Sequence, residues 1–95
     1  VARRTPKEQV AALAALVNLG PTSAGWLVAA GVTSPARLRT LGAVEAYRRV
    51  AWSRGGAVTY NLLYALEGAI RGVRWDYLPA SIRLRLRRRV DRDSK

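Results

Sequence analysis

The sequence contains neither cysteine nor histidine. Without cysteine there is no disulfide and no thiolate metal site. Without histidine the commonest general base, the commonest metal ligand and the usual pH switch are removed together. No apolar run approaches the roughly 18 residues from which a membrane-spanning helix is read. The N-terminal stretch Val1-Ala2-Arg3-Arg4-Thr5-Pro6-Lys7 lacks the apolar segment of a secretion signal, so a cytoplasmic location is expected. Acids are scarce: six Asp and Glu face 17 Lys and Arg, 15 of them Arg, for a net charge of +11. That excess favours anionic partners such as nucleic acid, acidic proteins or anionic lipid. A GC-rich coding bias would also enrich Arg and Ala together, with no selection for binding.

What is present is a chain of 95 residues, read as a single domain over 1–95. About half of it is apolar, mostly Ala, Leu and Val, enough for a packed core. Gly and Pro punctuate the chain at short intervals, which suits brief helices joined by tight turns. Helix one starts at Thr5-Pro6, with Thr as N-cap and Pro at the first helical position. It buries Val10, Leu13, Ala14 and Val17 and is expected to end at Asn18, which tolerates a left-handed backbone. After Leu19-Gly20-Pro21, Thr22 or Ser23 caps a second helix carrying Trp26, Leu27 and Ala30 to Gly31. Thr33-Ser34-Pro35 opens a third, with Leu38 and Leu41, ending at Gly42. A fourth runs from about Ala43 to Ser53, with Val44, Tyr47, Val50 and Ala51 inward.

The fifth helix, about Val58 to Arg71, is apolar on nearly every side and therefore central. Gly68 within it is expected to let another helix pack close. Trp75 and Leu78 pack a short turn, and Pro79 opens the last helix. Ile82-Arg83-Leu84-Arg85-Leu86-Arg87 alternates with period two, a strand signal, but a lone strand would expose an unpaired edge. The helical reading places Ile82, Leu86 and Val90 on one face, with fraying from Asp91 onward. The fold class is all-α, a compact bundle of about five to six short helices.

Two stretches carry a family resemblance. One is Leu16-Val17-Asn18-Leu19-Gly20-Pro21, Trp26-Leu27, Ala30-Gly31-Val32-Thr33 and Leu38-Arg39-Thr40-Leu41-Gly42. The more specific one is Asn61-Leu62-Leu63-Tyr64-Ala65-Leu66-Glu67-Gly68-Ala69-Ile70-Arg71-Gly72, followed by Trp75 and Leu78-Pro79. In order and spacing, about residues 16–79 resemble the C-terminal domain of the TfoX/Sxy competence regulators, with the Arg-rich helix 79–91 following. The resemblance implies a helix-hairpin-helix-like N-terminal half and a non-enzymatic role in regulating DNA transformation. It also implies a partner, a transcription activator of the cyclic-AMP receptor type. The typical regulator carries an additional N-terminal domain for which these 95 residues have no space.

Several groups are candidates for a site. In DNA-binding helix-hairpin-helix motifs the turn presents backbone N–H groups to a phosphate. Here Asn18, Gly20, Thr22 and Ser23 occupy that turn, with Asn18 where Gly is usual and Thr22 where Lys or Arg is common. The turn either holds a phosphate or only packs two helices. Arg85, Arg88 and Arg89, with Arg83, Arg87 and Arg92, form either a solvated face, a phosphate contact or a membrane-surface contact. Trp52, before Arg54-Gly55-Gly56, either stacks on a base or closes the end of the core. Trp26 and Trp75 are expected in the core. Glu67 is placed to pair with Arg71, and the other acids show no catalytic spacing. No phosphate-binding loop, nucleophile elbow or metal-ligand pattern appears, so no cofactor and no enzymatic activity are expected.

Overall fold

The computed structural model describes the backbone of residues 5–93 and the side chains of residues 5–92. Residues 1–4 and the last two residues of the expected frayed end lie outside it. Helix α1 (Pro6–Ala14) starts on a reciprocal cap: Thr5 Oγ1 accepts from the Glu8 amide at 3.3 Å, and the Glu8 carboxylate accepts from the Thr5 amide at 3.3 Å. It ends at Ala14, earlier than the apolar spacing suggests, and Asn18 lies in the following turn with φ 71°. Helix α2 (Pro21–Ala29) is capped by neither Thr22 nor Ser23. Pro21 occupies the first turn, so the N-cap falls on Gly20, which offers no side-chain bond.

Helix α3 (Pro35–Ser53) opens as expected at Ser34, whose Oγ accepts from the Arg37 amide at 3.0 Å. It contains both of the expected middle helices, and the break between them is real: Gly42 sits at φ 81°, ψ 164°, a conformation that strains any residue with a Cβ. Helix α4 (Tyr60–Arg71) starts two residues later than Val58 and closes on a left-handed Gly72. A 3-10 turn (Trp75–Tyr77) leads to α5 (Ala80–Asp93).

Among the described residues there is no strand, and the alternating Ile82–Arg87 segment is helical. Leu86 and Val90 are buried and Ile82 packs against the core, whereas Leu84 is 45% exposed. The expected fraying at Asp91 is not what the structure has: the helix continues, and the Asp91 carboxylate accepts a hydrogen bond from the Tyr60 hydroxyl.

Helix α4 is central, packed between α3, α5 and the 3-10 turn, with the α1–α2 hairpin joined through α2 to α3. Leu13, Leu27, Leu38, Val50, Leu63 and Leu66 have no exposed surface, and each such side chain contributes about 1.5–3 kcal/mol by leaving water. Among the described residues none that is buried is polar or charged. Of the two tryptophans expected in the core, Trp26 packs against it and Trp75 departs from it. Trp75 is 39% exposed. Trp26 is half-buried, its outer face covered by the Arg54 guanidinium 3.9 Å from the ring centre. No described helix is long and apolar enough to cross a membrane.

Two phenols lie within the electrostatic reach of Asp91 on α5, and Tyr60 clamps it by a hydrogen bond. Burial raises the Tyr47 pKa above its ordinary 10.0, with the negative charge of Asp91 adding to it. The hydrogen bond to Asp91 raises that of Tyr60, partly opposed by Arg87. A folded-state pKa above the unfolded value gives stability that is present below the unfolded value and lost as pH rises through the folded one. The urea midpoint should therefore fall as pH rises beyond 10.0, in step with phenolate absorbance. Tyr60→Phe should remove part of that fall; an identical alkaline limb in the variant would contradict the clamp.

Candidate functional site

The α1–α2 turn is fastened to the far end of α4 by one side chain. Asn18 Nδ2 donates to the Val73 carbonyl at 2.9 Å and to the Ala65 carbonyl at 3.4 Å, and Asn18 Oδ1 accepts from the Trp75 amide at 3.0 Å. The left-handed backbone at Asn18 aims the amide there. Gly68 makes the approach possible, because a Cβ at that position would collide with Asn18 Nδ2 and lie 2.6 Å from the Val73 carbonyl oxygen. The close neighbour of Gly68 is thus the Asn18 side chain and the 73–75 backbone, not the second helix that the sequence suggested.

The expected turn residues differ in their placement. The Asn18 side chain is occupied by the protein itself. Gly20 is the N-cap of α2, Thr22 is exposed, and Ser23 is half-buried. Asn18 and Ser23 share a groove of about 360 Å³ with Trp26, Thr59, Asn61 and Trp75. Arg85, Arg88 and Arg89 are all exposed on α5. No described contact joins them to the turn. The turn docks on Ala65 and Val73 toward the end of α4, whereas Arg87 lies 4.7 Å over the ring of Tyr60, where α4 begins.

Among the described side chains, the carboxylates are committed to structure. Glu8 caps α1. Glu45 pairs with Arg49 at 3.0 Å and with Arg48 at 3.5 Å. Glu67, as its spacing suggested, pairs with Arg71 at 2.6 Å, and Asp76 pairs with Arg74 at 3.0 Å. Asp91 holds Tyr60. The described residues hold no group of acids that could bind a metal ion.

The feature that sequence reasoning misjudged is Trp52. Of the two readings the sequence left for it, stacking on a base or closing the end of the core, the second fails, because Trp52 is 89% exposed. It stands beside an open groove of about 610 Å³ formed by Tyr47, Arg48, Ala51, Gly55, Gly56 and Val90. The only hint in the sequence was its position next to Arg54-Gly55-Gly56, where a helix ends and its last turn need not be covered.

The architecture is that of an all-helical hairpin-bearing bundle. The family model of the TfoX C-terminal domain matches residues 9–90. The chain belongs to that family, and the match extends past both ends of the 16–79 resemblance. Two solved structures share the fold. One is an uncharacterized protein from Listeria monocytogenes in a triclinic form, 36% identical with TM-score 0.74, covering 79% of this chain and 84% of that one. The other is a protein of unknown function from Listeria monocytogenes in a tetragonal form, 35% identical with TM-score 0.74, covering 79% of this chain and 91% of that one. No curated protein matches the chain.

The clasp yields a double-mutant cycle. Gly68→Ala should cost about 1–3 kcal/mol by overpacking. Asn18→Ala should cost about 1–3 kcal/mol by stranding the Val73 carbonyl and the Trp75 amide. With Asn18 shortened, the closest atom to residue 68 is gone, so the pair should cost less than the sum of the singles. Urea denaturation of the four proteins measures this, and strict additivity would show that the two positions do not meet.

Proposed function

We propose that this domain is a non-catalytic regulatory module that acts in the cytoplasm on competence or transcription by docking a transcription activator of the cyclic-AMP receptor type. The observation that carries this reading is Trp52, a large aromatic side chain left in solvent at the edge of an apolar groove. Tryptophan is among the residues most enriched at the energetic centre of protein interfaces. The groove is lined by Tyr47, Ala51 and Val90, with Arg48 as its charged wall. Together with the net charge of +11, this suits an acidic segment that carries an apolar anchor. The family supports a regulatory role, and the absence of His and Cys together with the committed carboxylates supports a non-catalytic one.

Trp52→Ala tests the docking. Because the side chain is 89% exposed, the variant should keep its melting temperature. It should bind a purified activator about 30-fold more weakly, the loss expected of a hot-spot residue worth about 2 kcal/mol. Unchanged affinity in the variant, or no capture of the activator by the parent chain, would overturn the reading.

A further inference from the structure

We infer that the outer face of α5 is a contact for the phosphate backbone of duplex DNA, made by Arg85, Arg88, Arg89 and Arg92. This inference goes beyond the activator contact and does not depend on it. These four arginines recur at the i, i+3, i+4, i+7 spacing that places side chains along one helix face. All four are exposed, and among the described residues none is joined to a carboxylate or an aromatic ring. Their neighbours Arg83 and Arg87 are placed differently, over the rings of Tyr64 and Tyr60 at 5.9 and 4.7 Å. The helix therefore divides its arginines: one flank is stacked on α4, and the outer face stays open.

The geometry suits phosphate. From Arg85 to Arg92 the helix rises about 10 Å, a length over which one DNA strand presents about three phosphates. The guanidinium fork donates in a plane that matches phosphate oxygens. The same face suits other anionic partners less well. A membrane-surface helix must sink an apolar face into lipid, but Ile82, Leu86 and Val90 are turned into the core, and Leu84, 45% exposed, is too little for such a face. An acidic protein would need a pocket for its anchor, and Arg85, Arg88, Arg89 and Arg92 line none of the described grooves. The contact carries no base readout, since backbone contacts position a protein without reading sequence.

The experiment is a salt titration of the full chain against a short fluorescent duplex of mixed sequence, read by anisotropy. A contact with about three phosphates gives a slope of log K against log salt near −3, at about 0.9 per phosphate. Changing Arg85, Arg88, Arg89 and Arg92 together to Ala should abolish most of that slope, and the same four changed to Lys should retain it. The exposed pair Arg37 and Arg39 of α3, changed to Ala, should leave it unaltered. Thermal melting of each variant confirms an intact fold. Equal losses from the α3 and α5 variants would overturn the inference in favour of a diffuse charge effect. Binding to anionic vesicles or to polyglutamate as tight as to the duplex would overturn the assignment to DNA phosphate. Trp52→Ala should keep the full DNA slope and the α5 variants should keep activator capture, so either proposal fails without the other.

Discussion

Three hydrogen bonds from Asn18 hold the α1–α2 turn against the end of α4. The apolar packing of the hairpin on the core is nondirectional, so this amide, with the Arg54 guanidinium over Trp26, fixes its position. It serves backbone groups that the chain reversal after α4 leaves without partners of their own. The Val73 amide already returns to the Gly68 carbonyl at 2.9 Å, while the Val73 carbonyl and the Trp75 amide turn to Asn18. Leaving either uncompensated would cost more than the modest net gain from forming the bond. The placement of Trp75, and through it the groove shared with Trp26, follows from that one residue.

The electrostatics follow a similar economy. Glu45, Glu67 and Asp76 each neutralise arginines of their own or an adjacent turn, so the acids are spent locally. Exposed pairs of this kind add little to stability. Their larger effect is on distribution. The remaining positive charge is concentrated along α5, where six arginines stand against two acids, Asp91 and Asp93, and most of the apolar side of that helix is consumed by the core. A surface that is rich in guanidinium and poor in exposed hydrocarbon attracts anions at a distance and holds them by contact.

The legible parts of the fold were those decided by neighbours in sequence. Thr5-Pro6 and Ser34-Pro35 announced helix starts because a cap is satisfied within three residues. Gly42 announced a break because only the local backbone has to accept it. The period-two run at Ile82–Arg87 was resolved correctly by asking what a strand would pair with. Features set by distant partners were not legible. Asn18 reads as a helix terminator in a turn that either holds a phosphate or packs two helices, since nothing nearby reveals that its amide is used by Ala65, Val73 and Trp75. Gly68 signalled a close approach without saying of what. Trp75 fits an inward-facing pattern and Trp52 stands open between stacking on a base and closing the core, yet both lie at ends of elements, where periodicity no longer states which side is covered. Of the candidate site, the exposed arginines were readable as a group, but their division between stacked and open required the positions of Tyr60 and Tyr64.

The contact between Asn18 and Gly68 has a bearing on descent. A change that gives residue 68 a side chain meets two obstacles, the Asn18 amide and the Val73 carbonyl, and shortening residue 18 removes only the first. A lineage that has lost the amide still needs the glycine, because the Val73 carbonyl oxygen stays 2.6 Å from the place of a Cβ. Residue 68 is therefore the more constrained of the two by descent, and changes at residue 18 can accumulate while the glycine stays.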